Sequence, residues 1–188
     1  MASMASMTNL DNLAGLYYLQ RNYVEAEPLY QRALAGRDQQ LGADHPHTLD
    51  TVNNLAILYE QQGKHNKAQH LYQRALAGKE RQLGPDHPST LATVDNLAGL
   101  YHAQRNYVQA DALFRRALAG KERQLGPDHP STLIAVHNIA LLYGSQGEYD
   151  EAETLYKRAL AGFETGRHEE ANTLLARAEE AAQVWLSK

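Results

Sequence analysis

The sequence predicts an all-α protein, an α-solenoid of four helix-turn-helix units, and three recurrences lead to it. Asn-Leu-Ala-x-Leu-Tyr starts at Asn12, Asn54 and Asn96 and returns at Asn138 as Asn-Ile-Ala-Leu-Leu-Tyr, a constant step of 42 residues. Asp-His-Pro recurs at the same interval, from Asp44, Asp86 and Asp128. The run from Ala75 to Leu91 is repeated word for word from Ala117 to Leu133. A fixed period of this length marks a stacked array, in which each unit buries its apolar face only against its neighbours. The units span about residues 8–47, 48–89, 90–131 and 132–164.

The third unit shows how each element arises. Pro88 sits where a first-turn proline is tolerated, and Ser89 and Thr90 favour a helix start. Val94, Leu97, Ala98 and Tyr101 then fall on one helical face. The pattern breaks at Arg105-Asn106, and Tyr107, Ala110, Phe114 and Ala117 define a second face. Gly126-Pro127 ends that second helix. The recurring Asp-His-Pro places an Asp or His side chain where it can cap the next helix. The glycines read as helix ends and turns, and runs such as Lys79-Glu80-Arg81 read as solvated helix surface.

Small and large residues alternate in register. Ala14, Ala56, Ala98 and Ala140 hold one position of the first helix, and Ala26, Ala68, Ala110 and Ala152 one of the second. Small side chains let helix axes approach closely. Tyr17, Tyr59, Tyr101 and Tyr143 fill the complementary first-helix position, and Tyr30, Tyr72, Phe114 and Tyr156 the second-helix one. His65 replaces the tyrosine found at Tyr23, Tyr107 and Tyr149, which predicts a more solvated turn in the second unit.

The opening residues 1–7 read as a duplicated vector-derived tail outside the fold. Residues 165–188 lack the Asp-His-Pro link. There Ala171, Leu174, Ala178, Ala182 and Trp185 make one apolar face, which predicts a C-terminal capping helix.

These residues resemble the tetratricopeptide repeat. Its signature of a bulky residue, Leu, Gly or Ala, Tyr, then Ala, an aromatic and Ala is matched by Val94, Leu97, Ala98, Tyr101, Ala110, Phe114 and Ala117. The usual period is about 34 residues, and this chain adds a longer second helix and the Leu-Gly-Pro-Asp-His-Pro connection. That longer variety is similar to the repeats of kinesin light chains, nephrocystins and the sensor arrays of fungal NLR-like receptors. The resemblance implies a right-handed superhelix whose first helices line a concave groove that binds a peptide or protein.

On that reading Asn12, Asn54, Asn96 and Asn138 form a ladder along the groove. Each carboxamide offers a donor and an acceptor to an extended ligand. The alternative is that each bonds a neighbouring helix and holds the array in shape. Specificity would come from the varying neighbours: Asp11, Asn53, Asp95 and His137 one residue earlier, and Gly15, Ile57, Gly99 and Leu141 three residues later. Thr8, Asp50, Ala92 and Ile134 vary in the same way. The groove therefore reads as acidic and small at one end and apolar towards Ile134 and Leu141, which suits an extended ligand with basic and apolar residues. First helices carry no Lys or Arg at these positions, so a carboxylate clamp is not expected, although second helices can contribute Arg.

Other functions are disfavoured. A net charge of -4 does not suit a nucleic-acid partner, no stretch reads as a membrane span or leader, and the absence of Cys is compatible with a cytoplasmic setting. Asp44-His45-Pro46-His47 is too sparse for a metal site, which needs three or four converging ligands. No nucleophile elbow, phosphate loop or dinucleotide fingerprint is present, so neither catalysis nor a cofactor is expected. The leading expectation is a non-catalytic interaction module, an adaptor or sensor domain. The alternatives are a self-associating scaffold, motivated by the uncovered first helix from Thr8 to Leu19, or a consensus-designed array.

Overall fold

A computed structural model describes residues 4–165, and these form eight α-helices. They are α1 (Met4–Leu19), α2 (Tyr23–Leu41), α3 (Pro46–Gln61), α4 (His65–Leu83), α5 (Pro88–Ala103), α6 (Tyr107–Leu125), α7 (Pro130–Gln146) and α8 (Tyr149–Thr165). Odd-numbered helices are the first helices of the units and even-numbered ones the second. There is no strand among the described residues. The chain divides into two compact units, with the boundary inside α5 between Leu100 and Tyr101. In the first, α1 pairs with α2 and α3 with α4, and α2 packs on α3; in the second, α7 pairs with α8 and α6 packs on α7. The capping helix expected over 165–188 lies outside the described residues beyond Thr165.

The starts of the first helices follow from the Asp-His-Pro links. The ring Nδ1 of His45 accepts the amide of His47 at 3.2 Å, that of His87 accepts Ser89 at 3.1 Å, and that of His129 accepts Ser131 at 3.1 Å. His45 and His129 have extended backbones, φ -66 and -69, with the proline at the first turn. Each histidine thus satisfies one of the helix's orphan amides, so the cap is His rather than Asp. The first helices α3, α5 and α7 begin at Pro46, Pro88 and Pro130, with the proline in the first turn.

The second helices stop because Gly42, Gly84 and Gly126 take φ near +90 with extended ψ, a region open only to glycine. Thr48 and Thr90 donate back to the Gly42 and Gly84 carbonyls at 2.9 Å. Within the units the turn is made by one left-handed residue: Arg21, Gly63, Arg105 or Gly147.

Two sequence expectations change here. Gly36, Gly78, Gly120 and Gly162 lie inside second helices, not at their ends. A Cβ on Gly36 would stand 2.6 Å from Met7 Sδ, and one on Gly78 or Gly162 would stand 2.6 Å from a methyl of Leu49 or Leu133. Bare backbone is what lets the core leucine of the first helix seat. Met7 occupies that leucine's place in the first unit and is fully buried. Residues Met4–Met7, expected to lie outside the fold, are thus part of α1.

The tyrosines behave by position. Tyr30, Tyr72 and Phe114 are buried, and the Tyr72 hydroxyl donates to Glu60 at 2.7 Å. Tyr156 is half-buried, as are Tyr17, Tyr101 and Tyr143, whereas Tyr59 is buried. His65 is half-buried while Tyr149 is exposed, so the more open turn is that of the fourth unit, not the second.

Candidate functional site

The ladder asparagines do not all stand alike. Asn12 is exposed, and Asn54, Asn96 and Asn138 are half-buried. Asn96 Nδ2 on α5 donates to Asn53 Oδ1 on α3 at 3.3 Å, which ties adjacent first helices together. Asn12, Asn54 and Asn138 make no side-chain hydrogen bond among the described residues. The four positions are thus mixed: Asn96 is bonded between helices, and the other three carboxamides make no such bond among the described residues.

The carboxylates beside the ladder are engaged. Asp11 on α1 is ion-paired to Arg37 on α2 and accepts the Thr51 hydroxyl on α3 at 3.1 Å. Arg37 also donates to the Thr51 hydroxyl, to the His47 carbonyl at 3.1 Å and to the Thr8 hydroxyl at 3.4 Å. Burial pushes the Asp11 carboxyl above its ordinary pKa against the pull of Arg37. One unit on, Lys79 on α4 pairs with Asp50 on α3 at 2.9 Å and reaches the Ser89 carbonyl on α5 at 3.4 Å. Lys79 is only 3% exposed and Arg37 6%. The Lys79-Glu80-Arg81 run, expected on the solvated surface, therefore contains a buried cation. Sequence reasoning missed both cations, although the 42-residue step from Arg37 to Lys79 to Lys121 carries the signal.

The fourth unit departs from this scheme in a coordinated way. Phe163 takes the place of the second-helix cation and is buried. Ile134 takes the place of Asp50 and packs with Leu133, Val136, Ala159 and Phe163. His137 takes the place of Asp11 and meets Tyr156 edge-on, with ring centroids 5.4 Å apart. Burial lowers the His137 pKa, which favours the neutral ring, and raises the Tyr156 hydroxyl to about 12. Charge and counter-charge are lost together, and an apolar contact replaces them.

Asp95, Ile57 and Leu141 are half-buried on their first helices. Gly99 leaves open space, with no atom within 4 Å of an added Cβ, whereas at Gly15 the Tyr30 hydroxyl would lie 3.6 Å away. A separate polar knot joins the second unit of the repeat to the first. Glu27 on α2 accepts from Tyr59 at 3.1 Å, Gln62 at 3.2 Å and Lys64 at 3.0 Å. Although burial pushes its pKa up, these hydrogen bonds hold it below the ordinary carboxylate value. No group of three His, Cys, Asp or Glu able to hold a metal occurs among the described residues. No helix among them is long and apolar enough to cross a membrane.

Paired helices in a fixed 42-residue register, with close contacts at alanine and glycine, define an all-α helical-repeat solenoid. The tetratricopeptide repeat model matches residues 3–81, 71–123 and 89–165, so the chain belongs to the tetratricopeptide repeat family. Among solved structures it is similar to a putative kinesin light chain with nearly identical TPR-like repeats from Podosopora anserina. That similarity has 27% identity and a TM-score of 0.78, and covers 97% of this chain and 90% of that one. A point variant of the same protein gives 27% identity, a TM-score of 0.79 and coverage of 97% and 89%. BtubC (BKLC) from P. vanneervenii is similar at 25% identity and a TM-score of 0.78, covering 96% of this chain and 74% of that one. No curated protein matches the chain. Repeats of this family are generally non-catalytic protein–protein interaction modules.

Proposed function

We propose that this chain captures an extended polypeptide along its first helices, as an adaptor or sensor domain, and performs no chemistry on it. The observation that carries this reading is the set of uncommitted carboxamides. Asn12 and Asn54 in the first of the two compact halves, and Asn138 in the second, have no side-chain partner among the described residues, while the carboxylates of Asp11 and Asp50 already have theirs. A ligand's peptide groups can use both functions of an asparagine. Its side chains would be sorted by Asn53, Ile57, Asp95 and the open space over Gly99 in one unit, and by Ile134, His137 and Leu141 in the other.

Pairing of Asp11 and Asp50 within the chain shifts the expected ligand from basic and apolar towards neutral and apolar. With a net charge of -4, nucleic acid is a poor partner, and a cysteine-free chain suits a cytoplasmic setting.

Peptide-display selection on the purified chain tests the proposal, run beside the Asn12→Ala, Asn54→Ala double variant and the Asn96→Ala variant. An enriched motif that the double variant loses, at unchanged helicity, supports the reading. Asn96→Ala should mainly lower stability, because it removes an interhelical bond worth about 1 kcal/mol. Absence of enrichment with folded protein, or a motif indifferent to Asn12 and Asn54, removes the ladder from the account.

A further inference from the structure

We propose that Lys79, buried behind the face shared by α3 and α5, is a specificity-determining residue. By pairing with Asp50 it makes that face select an uncharged, hydrogen-bond-donating ligand side chain and reject Lys and Arg. The proposal rests on the reading of the first helices as the binding surface.

Two side-chain bonds join α3 to α5 on this face. Asn96 Nδ2 donates to Asn53 at 3.3 Å, and the Ser89 hydroxyl donates to Asp50 Oδ1 at 3.3 Å. Asp50, Asn53, Asn54 and Ile57 follow at helical spacing, so Asp50 shares a face with Asn54. Lys79 reaches this face from α4, with Nζ 2.9 Å from Asp50 Oδ1 and 3.4 Å from the Ser89 carbonyl. The Lys79 side chain is 4% exposed and that of Asp50 is 49% exposed. A ligand can therefore touch the carboxylate while the cation stays enclosed. The first unit offers no such contact, because Asp11 is only 11% exposed beside Arg37.

A bare carboxylate on a binding face attracts an ammonium or guanidinium group. Here that attraction is already taken up. A ligand cation drawn to Asp50 would meet a second cation behind the same carboxylate, with one negative charge between two positive ones. A ligand carboxylate would face Asp50 itself. A hydroxyl or amide donates to the paired carboxylate without either repulsion, so both signs of charge are discriminated against at one position. The repeat shows that folding does not demand this lysine. Arg37 holds the same place in the first unit, and in the fourth Phe163 holds it while Ile134 replaces the carboxylate.

Peptide-display selection on the parent, Lys79→Met, Lys79→Arg and the Lys79→Met, Asp50→Asn double variant tests this, with helicity checked for each. On the parent, one motif position should be depleted of Lys and Arg as well as Asp and Glu, in favour of Ser, Thr, Asn or Gln. Lys79→Met should raise Lys and Arg over Gln at that position by up to about fivefold, and added salt should erase the gain. Lys79→Arg should select as the parent does, and the double variant should lose the gain. A motif that Lys79→Met leaves unchanged, a Lys79→Arg variant that shifts as Lys79→Met does, or a gain that survives Asp50→Asn overturns the role of Lys79 and leaves the groove reading standing. A folded parent that enriches nothing removes the groove reading, and this proposal with it. If Lys79→Met loses its helicity, the parent decides alone: a motif with no charge-depleted position overturns the proposal.

Discussion

Replacing Gly78 by alanine should destabilise the chain, although alanine is the better helix former. In an exposed helix interior that substitution gains about 1 kcal/mol. Here the added Cβ would lie 2.6 and 2.7 Å from the two methyls of Leu49, a side chain with no solvent to retreat into. Overpacking of this kind costs about 1–3 kcal/mol, so set against that gain the net effect is a loss of up to about 2 kcal/mol. For a chain of this size that lowers the melting temperature by up to roughly 8 °C. Gly99→Ala is the internal control, because an added Cβ there meets nothing within 4 Å. It should gain up to about 1 kcal/mol. Thermal and urea unfolding followed by helical circular dichroism would measure both, with the slope checked because repeat arrays can lose two-state behaviour. Adding Leu49→Val to Gly78→Ala should cost less than the sum of the two single changes. A Gly78→Ala variant that melts higher than the parent, as Gly99→Ala should, would refute the close approach as the reason for this glycine.

His87→Ala should cost about 1 kcal/mol by removing the cap on the Ser89 amide, and His87→Asn should keep most of it; urea midpoints decide. Glu27 supplies an acid-sensitive contribution, since its folded pKa is lowered by its hydrogen bonds. That contribution is complete above the ordinary value of 4.5 and is lost as pH falls through the lowered folded value. Glu27→Gln should flatten that part of a stability–pH profile, measured as melting temperature against pH.

The helix pairs were legible because a fixed period multiplies weak signals. Val94, Leu97, Ala98 and Tyr101 alone suggest a helix, and four copies in register establish one. The buried cations were not legible in the same way. Lys79 stands in a charged run that is solvated in most helices, and only its position between Asp50 and Ser89 shows that it is enclosed. Gly78 was hidden by the same limit, since a glycine near a helix end and a glycine beneath a leucine look identical without the opposing helix. Met7 was discounted for its neighbours, when its 42-residue distance from Leu49 marked it as core. In the candidate site, the ladder's position followed from the repeat, but the division between committed Asn96 and uncommitted Asn54 depends on which side chain lies within reach.

The joint between units has a bearing on how such a chain changes length over generations. Gly78 under its leucine, the Lys79 cation, the Gly84 reversal, the His87 cap and the Thr90 hydroxyl on the Gly84 carbonyl all fall between Ala75 and Leu91. That is the stretch repeated verbatim from Ala117 to Leu133. Recombination between the two coding stretches would delete or insert one whole unit and regenerate the same joint wherever the break fell. The apolar substitution in the fourth unit would travel intact as well, because Ile134 and Phe163 belong to one unit. The number of units can therefore drift by single copying errors, each yielding a chain whose helices already know how to meet.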